Sequence, residues 1–252
     1  MKYVRFSKDK KVYYGILEGE EVKVLNRSYF CSNCSETGER FPVKEIKLLA
    51  PTEFGKALCI GLNYRDHAEE FKLPIPEKPV VFMKAATAIA DPDGKIVHPK
   101  GMSEHLDYEG ELAVVIGKKC HRITEEQAND YILGYTIAND VTARDLQSKT
   151  GQWTVAKGFD TFCPIGPFIE SEIDPSSLDL ETMVNGEVKQ HSNTKNLIFK
   201  VPYLISYLSN VMTLNTGDII LTGTPSGISK LEMGDVVEIT IEGLGTLKNT
   251  VV

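Results

Sequence analysis

The feature that most constrains this chain is a set of short apolar runs rich in β-branched residues and bounded by Gly, Pro or Asp. They are KALCIG, PVVFMKA, GELAVVIG, YILGYTIAND, DIILTG and DVVEITIEG. Runs of this length and makeup read as strands, and helical periodicity between them is sparse. Helices are expected only over 63–73, 124–130, 141–147 and 200–211. Strands outnumber helices without alternating regularly with them, which predicts an α+β, β-rich fold over a doubly wound sheet. Residues 1–50 hold the alternating stretch YYGILEGEEVKVL and the polar loop NRSYFCSNCSETGERF. They read as a small N-terminal β module, joined through LLAPTEF to a main body over 51–252.

Composition narrows the function classes. A chain of 252 residues can bury a sizeable core, and 42% hydrophobic with 25% charged residues is ordinary globular composition. The net charge is −7 and no stretch clusters Lys and Arg between aromatics, so no nucleic-acid partner is expected. No apolar run approaches the roughly 18 residues of a spanning helix, and MKYVRFSKDK places charges where a leader's apolar core would begin; neither membrane nor secretion is expected. Five cysteines, odd in number and mostly scattered, fit a reducing cytoplasm. Only Cys31 and Cys34 form a C-x-x-C, in CSNC. No second such pair completes a zinc site, so this stretch reads as a loop, a metal knuckle or a redox pair.

Against this background one strand stands out. In LDYEGELAVVIG, Glu109 and Glu111 precede the apolar run Ala113, Val114, Val115 and Ile116. Residues two apart on a strand share a face, with Cα atoms roughly 6.5–7 Å apart. Two like charges there fit a half-solvated strand end, or a site where a cation or proton relieves the repulsion. Asp140 follows another apolar strand, where a turn or capping aspartate is common. Together the three offer hard oxygen ligands without Cys or His, a set suited to Mg²⁺, Mn²⁺ or Ca²⁺.

Three further stretches carry chemistry. If LNYRDHAEEF is helical, Tyr64, His67, Ala68 and Phe71 form one stripe, and Glu70 lies at i+3 from His67, within reach of its imidazole. The competing reading of His67 is a satisfied core histidine. Pro74, Pro76 and Pro79 at the exit would let 63–78 move as a flap. In GQWTVAKGFDTF, Lys157 shares an apolar face with Trp153, Val155 and Phe159 if the stretch is extended; it either faces an anion or snorkels to the surface. In GDIILTGTPSGI, Thr222, Gly223 and Thr224 follow a buried-type strand, where backbone N–H groups can converge on an anion.

IGLNYRDHAEE, DYEGELAVVIG, GYTIANDVTARDLQ, WTVAKGFDTFCPIGP, VNGE with KQHSNTKNLIF, and GDIILTGTPSGI occur in the order and spacing of the fumarylacetoacetate hydrolase family. The chain resembles that family over roughly residues 55 to 250, while CSNC matches none of its motifs. The resemblance implies a composite β-sandwich roll, usually in a homodimer. It implies a metal triad of Glu109, Glu111 and Asp140 holding Mg²⁺ or Mn²⁺, which chelates the 1-carboxylate and 2-oxo oxygen of an α-oxo acid. It makes His67 and Glu70 a water-activating pair on a lid helix, and Lys157 the group that stabilises developing negative charge. Arg144, Gln147 and Thr224 match substrate-contacting positions, with Lys84 a further addition.

The activity so implied is C–C hydrolysis of acylpyruvate-type substrates, or decarboxylation of oxaloacetate-like ones, through a metal-held enolate. Isomerisation of 2-hydroxy-dienoates or tautomerisation of oxaloacetate is the alternative on the same scaffold. A non-catalytic oxo-acid binder is the remote one.

Overall fold

The computed structural model describes every residue except Phe54 and Lys149; Phe54, the last residue of the expected LLAPTEF joint, thus lies outside the described residues. With 42% of residues in strands and 16% in helices, the chain is β-rich as expected. The main element is a twelve-stranded sheet. Its central strand, Gly110–Ile116, is buried at every position. An unbroken apolar run of this kind is what a strand covered on both faces requires.

On one side Gly110–Ile116 pairs antiparallel with Ile132–Asn139, and on the other with Ile219–Leu221. Beyond Ile219–Leu221 come Ala57–Gly61, in parallel, and then Val80–Lys84. Beyond Ile132–Asn139 comes Cys163–Glu170. A five-stranded sheet, Glu187–Asn193, Asp179–Val184, Val236–Ile241, Gly245–Val251 and Lys95–Ile96, is the second largest. The two sheets meet closely at Gly110, where a Cβ would stand 2.4 Å from Thr182 Oγ1 and 3.1 Å from Ile239 Cγ2. Only glycine fits that crossing.

The N-terminal strands Lys2–Lys8, Lys11–Glu18, Glu21–Leu25 and Glu36–Pro42 form a meander. It continues the large sheet, because Lys2 and Tyr3 pair with Glu170 and Ile169. Val4, Phe6, Val22, Val24 and Phe168 make a small core of their own beneath it. Glu36–Pro42 lies within the stretch read as a polar loop. This strand is mostly exposed, so it carries no apolar alternation by which it could be read.

Among the described residues there are three α-helices: α1 (Arg65–Glu70), α2 (Thr154–Lys157) and α3 (Val201–Val211). The helix expected over 63–73 is thus shorter, and that over 124–130 is a 3₁₀ turn at Ala128–Tyr131. The helix expected over 141–147 does not form. Thr142–Ala143 is a strand paired with Leu106–Asp107, and only Arg144–Leu146 turns, as 3₁₀. Two adjacent β-branched residues, Val141 and Thr142, favour that outcome. Lys157 stands on the helical turn α2 and not on an extended face, with its N–H donating to Trp153 O at 3.0 Å. Trp153 and Lys157 still share a side, now at i, i+4, whereas Val155 is exposed.

Candidate active site

Strand register builds the centre of the site. Gly110 pairs with Asn139, which sets Glu109 and Glu111 on either side of the strand end from which Asp140 emerges. The Asp140 N–H donates to Glu109 O at 2.9 Å, locking the two chain segments together. Glu109, Glu111 and Asp140 are 7%, 2% and 0% exposed, and one carboxylate oxygen of each lies within 4.8 Å of the others. Three carboxylates cannot be buried this closely unless positive charge or a proton accompanies them.

Part of that charge comes from the protein. Lys157 Nζ lies 2.9 Å from Glu109 Oε2 and 2.8 Å from Asp140 Oδ2. Lys84 Nζ pairs with Asp140 Oδ1 and donates to Val141 O at 2.9 Å. Arg144 reaches Glu109 Oε1 at 2.5 Å and Asp107 Oδ2 at 2.7 Å, and donates to Gln147. Burial alone would push Glu109 up, but Lys157 and Arg144 outweigh it and hold its carboxyl down at about 2. Burial likewise works against the Lys157 ammonium, and Asp140 and Glu109 overcome it and raise its pKa.

Glu111 differs. Burial, with the charges of Asp140 and Glu109 added, pushes its carboxyl well above the usual carboxylate range. Among the described residues its one close donor is the Gly223 N–H at 2.7 Å. Gly223 has φ +102°, and a Cβ there would meet Asn63 Cβ at 2.8 Å, so glycine alone can bring that N–H in. Lys84, Lys157 and Arg144 thus pair with Asp140, Glu109 and Asp107, and none of these pairs includes Glu111. The donor set fits a hard divalent cation, as all three candidate ligands are carboxylates with no Cys or His among them. Buried polar atoms without a protein partner add to the fit: Tyr64 Oη, His67 Nδ1 and Asn139 Nδ2.

Helix α1 stands on this centre. Tyr64 and Ala68 are buried, Phe71 is half exposed, and the His67 side chain is 13% exposed. Only part of the expected stripe therefore faces inward. His67 Nδ1 lies 3.4 Å from Glu70 Oε2, in electrostatic reach but without hydrogen-bond geometry. Glu70 is held from the other side by the Gly227 N–H, 3.2 Å from Oε1. The helix start is anchored as well, with Ser192 donating to Asp66 at 2.5 Å and Asn63 bonded at both ends of its amide to Phe199.

A family model described as fumarylacetoacetate (FAA) hydrolase C-terminal matches residues 56–252, and one described as Rv2993c-like, N-terminal matches residues 1–51. The chain belongs to the fumarylacetoacetate hydrolase family. An oxaloacetate tautomerase of Bacillus subtilis is 45% identical over 225 residues, covering 84% of this chain and 75% of that one. The structure of a 2-hydroxyhepta-2,4-diene-1,7-dioate isomerase from Mycobacterium marinum matches with TM-score 0.92 at 44% identity, covering 100% of this chain and 98% of that one. A maleylpyruvate hydrolase from Sphingobium, solved with manganese(II) and pyruvate, matches with TM-score 0.83 at 27% identity, covering 100% and 99%.

Within this family member the remaining sequence candidates are placed as follows. Arg144 and Gln147 bond to each other at the outer end of the carboxylate network. The Thr224 hydroxyl donates to Gly110 O at 3.0 Å and accepts from Gln190 Nε2 at 2.8 Å, so in this structure it is committed to the scaffold. Lys84 is likewise engaged by Asp140. Sequence reasoning missed Asp107, which anchors Arg144, and Asn139, whose Oδ1 accepts the Glu109 N–H at 3.0 Å. Asp107 had a readable signal, since it continues the two-residue period of Glu109 and Glu111 in LDYEGE. Gln190 was also missed; it lies in EVKQHSN among exposed residues and has no such signal.

Proposed function

We propose that this chain is a divalent-metal-dependent enzyme that generates an enolate from an α-oxo acid, and that it works foremost as a keto–enol tautomerase or isomerase of oxaloacetate-like or 2-hydroxy-dienoate substrates. The observation that carries the reading is the buried triad of Glu109, Glu111 and Asp140, one carboxylate oxygen of each lying within 4.8 Å of the others. The choice of tautomerisation is supported by the relatives of 44–45% identity, one an oxaloacetate tautomerase and one a dienoate isomerase.

Mg²⁺ or Mn²⁺ held by these three carboxylates would supply a Lewis acid for the 1-carboxylate and 2-oxo oxygen. The protein's own groups do the rest. Lys157 holds a buried positive charge within 3 Å of two triad carboxylates and would stabilise negative charge developing on a bound oxo acid. His67 takes and returns the proton, since an imidazole does both near neutral pH. Glu70, held by Gly227, keeps that imidazole in place. Arg144 and Gln147 would contact the substrate, whereas Lys84 and Thr224 act through Asp140 and Gly110. A homodimer and a cytoplasmic location belong to the same proposal. Light scattering that gives the mass of one chain in place of two overturns the dimer.

A second reading, C–C hydrolysis of an acylpyruvate, is supported by the His67–Glu70 pair, 3.4 Å apart, which would activate water. Purified protein with Mg²⁺ is to be given enol-oxaloacetate, acetylpyruvate and a 2-hydroxy-dienoate in parallel, with carbon dioxide release monitored throughout. Faster loss of the enol or isomerisation of the dienoate supports the first reading. Acetylpyruvate cleavage supports the second, and carbon dioxide release from oxaloacetate identifies a decarboxylase. No turnover of any of them leaves an oxo-acid binder.

A further inference from the structure

One buried amide joins the strand of the two glutamates to the loop beside it, and it is not among the groups that chemistry requires. Gln190 lies on the Glu187–Asn193 strand of the five-stranded sheet, fully buried, although Val188, Lys189 and His191 around it are exposed. Its Oε1 accepts from Gly110 N–H at 3.0 Å and from Thr182 Oγ1 at 2.8 Å. Its Nε2 donates to Thr224 Oγ1 at 2.8 Å and to Pro225 O at 3.0 Å. A carboxamide has two donors and two acceptor sites, so its capacity is filled.

The partners show what the amide does. Gly110 is the residue between Glu109 and Glu111. Gln190 holds its N–H directly, and Thr224, which Gln190 orients, holds its C=O at 3.0 Å. Thr224 and Pro225 belong to the loop that supplies Gly223 N–H to Glu111 and Gly227 N–H to Glu70. A single side chain from the second sheet thus ties the strand of the two glutamates to the loop that holds both Glu111 and the helix α1 carboxylate. The joint leaves no room for slack. A Cβ at Gly227 would stand 2.0 Å from Lys189 O, and one at Gly110 3.1 Å from Gln190 Oε1.

We propose that Gln190 is a positioning residue that sets the spacing between the triad carboxylates and the His67–Glu70 pair. The inference rests on the metal reading of the triad given above. It is tested with Mn²⁺ alone, by titrating the full chain and following free Mn²⁺ by its electron paramagnetic resonance signal. Gln190→Met keeps the length and removes all four bonds. Its Mn²⁺ dissociation constant is expected to rise about 10–100-fold, the usual cost of losing an outer-shell partner of metal ligands. Hydrogen exchange in 65–70 should also quicken, because the Gly227 contact to Glu70 loosens. Gln190→Glu keeps the volume and the acceptor but loses the amide donors. It is expected to fall between parent and Gln190→Met, and it decides the matter should Gln190→Met fail to fold.

Thr194→Val is the control for a merely structural role. Thr194 is buried and bonds Pro175 O and Leu178 N–H away from the triad. Its loss should lower the melting temperature while leaving Mn²⁺ affinity and exchange in 65–70 at parental values. Gln190 variants that bind Mn²⁺ as tightly as the parent overturn the assignment. A parent chain that binds no Mn²⁺ overturns the metal reading instead, so the two failures are distinct.

Discussion

At the scale of single residues, the site divides by how its charges are balanced. Glu109 and Asp140 are matched by Lys157, Lys84 and Arg144, whereas Glu111 has only a backbone N–H. Removing a ligand charge should therefore be felt directly. Glu109→Gln and Asp140→Asn are each expected to weaken Mn²⁺ binding by an order of magnitude or more, measured by calorimetry. Parental affinity in both would refute the triad as a metal site. His67 is not among the three candidate metal ligands, so His67→Ala should keep Mn²⁺ and oxalate affinity while turnover falls on the order of 10²–10⁴. Unchanged turnover would return His67 to the role of a packed core histidine.

The cysteines give a further residue-scale prediction. Burial, with Asp140 and Glu111 contributing, pushes the Cys163 thiol up to about 12, and Cys59 is raised by the same causes. A raised thiol pKa means that both are protonated at pH 8, and the thiolate is the reactive form. Cys31 is exposed and Cys34 partly so. Rapid labelling of the folded chain at pH 8 should thus modify Cys31 and Cys34 and leave Cys59 and Cys163 for the unfolded state, as peptide mass spectrometry would read.

At the scale of elements, Gly223 brings a backbone N–H to Glu111, and helix α1 carries His67 and Glu70. Gly223→Ala would put a Cβ against Asn63 in a left-handed backbone, where strain costs about 1–3 kcal/mol. We expect urea unfolding to report a loss of that size, with weaker Mn²⁺ binding as Glu111 loses its N–H. Helix α1 has only six residues, and beyond its anchored start come Phe71, Leu73 and Ile75, each about half exposed. Ordering of 63–78 over a ligand should appear as slower hydrogen exchange with oxalate plus Mg²⁺ than without. Equal exchange in the two states would refute a lid. Elements with a strong apolar pattern, the unbroken run of Gly110–Ile116 and the helical period of Val201–Val211, were legible in the chain. Thr142–Ala143 and α2 were not, because two to four residues carry too little pattern and their neighbours decide their conformation.

At the scale of the whole molecule, the N-terminal meander and the large sheet share hydrogen bonds and a small core. Lys2 and Tyr3 pair with Glu170 and Ile169, and Phe168 packs under Val4, Phe6, Val22 and Val24. A chain starting at residue 51 would expose one side of Cys163–Glu170 together with Phe168, a combination that favours aggregation. We expect it to melt lower and be less soluble than the full chain, and equal behaviour would mean that the main body stands alone. The sequence by itself determined the β-rich class, the three carboxylates and the histidine–glutamate pair. Each rests on local spacing: period two on a strand, three on a helix, or a residue at a strand end. Only the tertiary structure decided that Lys84, Arg144, Lys157 and Gln190 converge on them from four separate segments. Such convergence is set by strand order and sheet crossing, where sequence separations of 17 to 80 residues collapse to hydrogen-bond distance and leave no periodic trace.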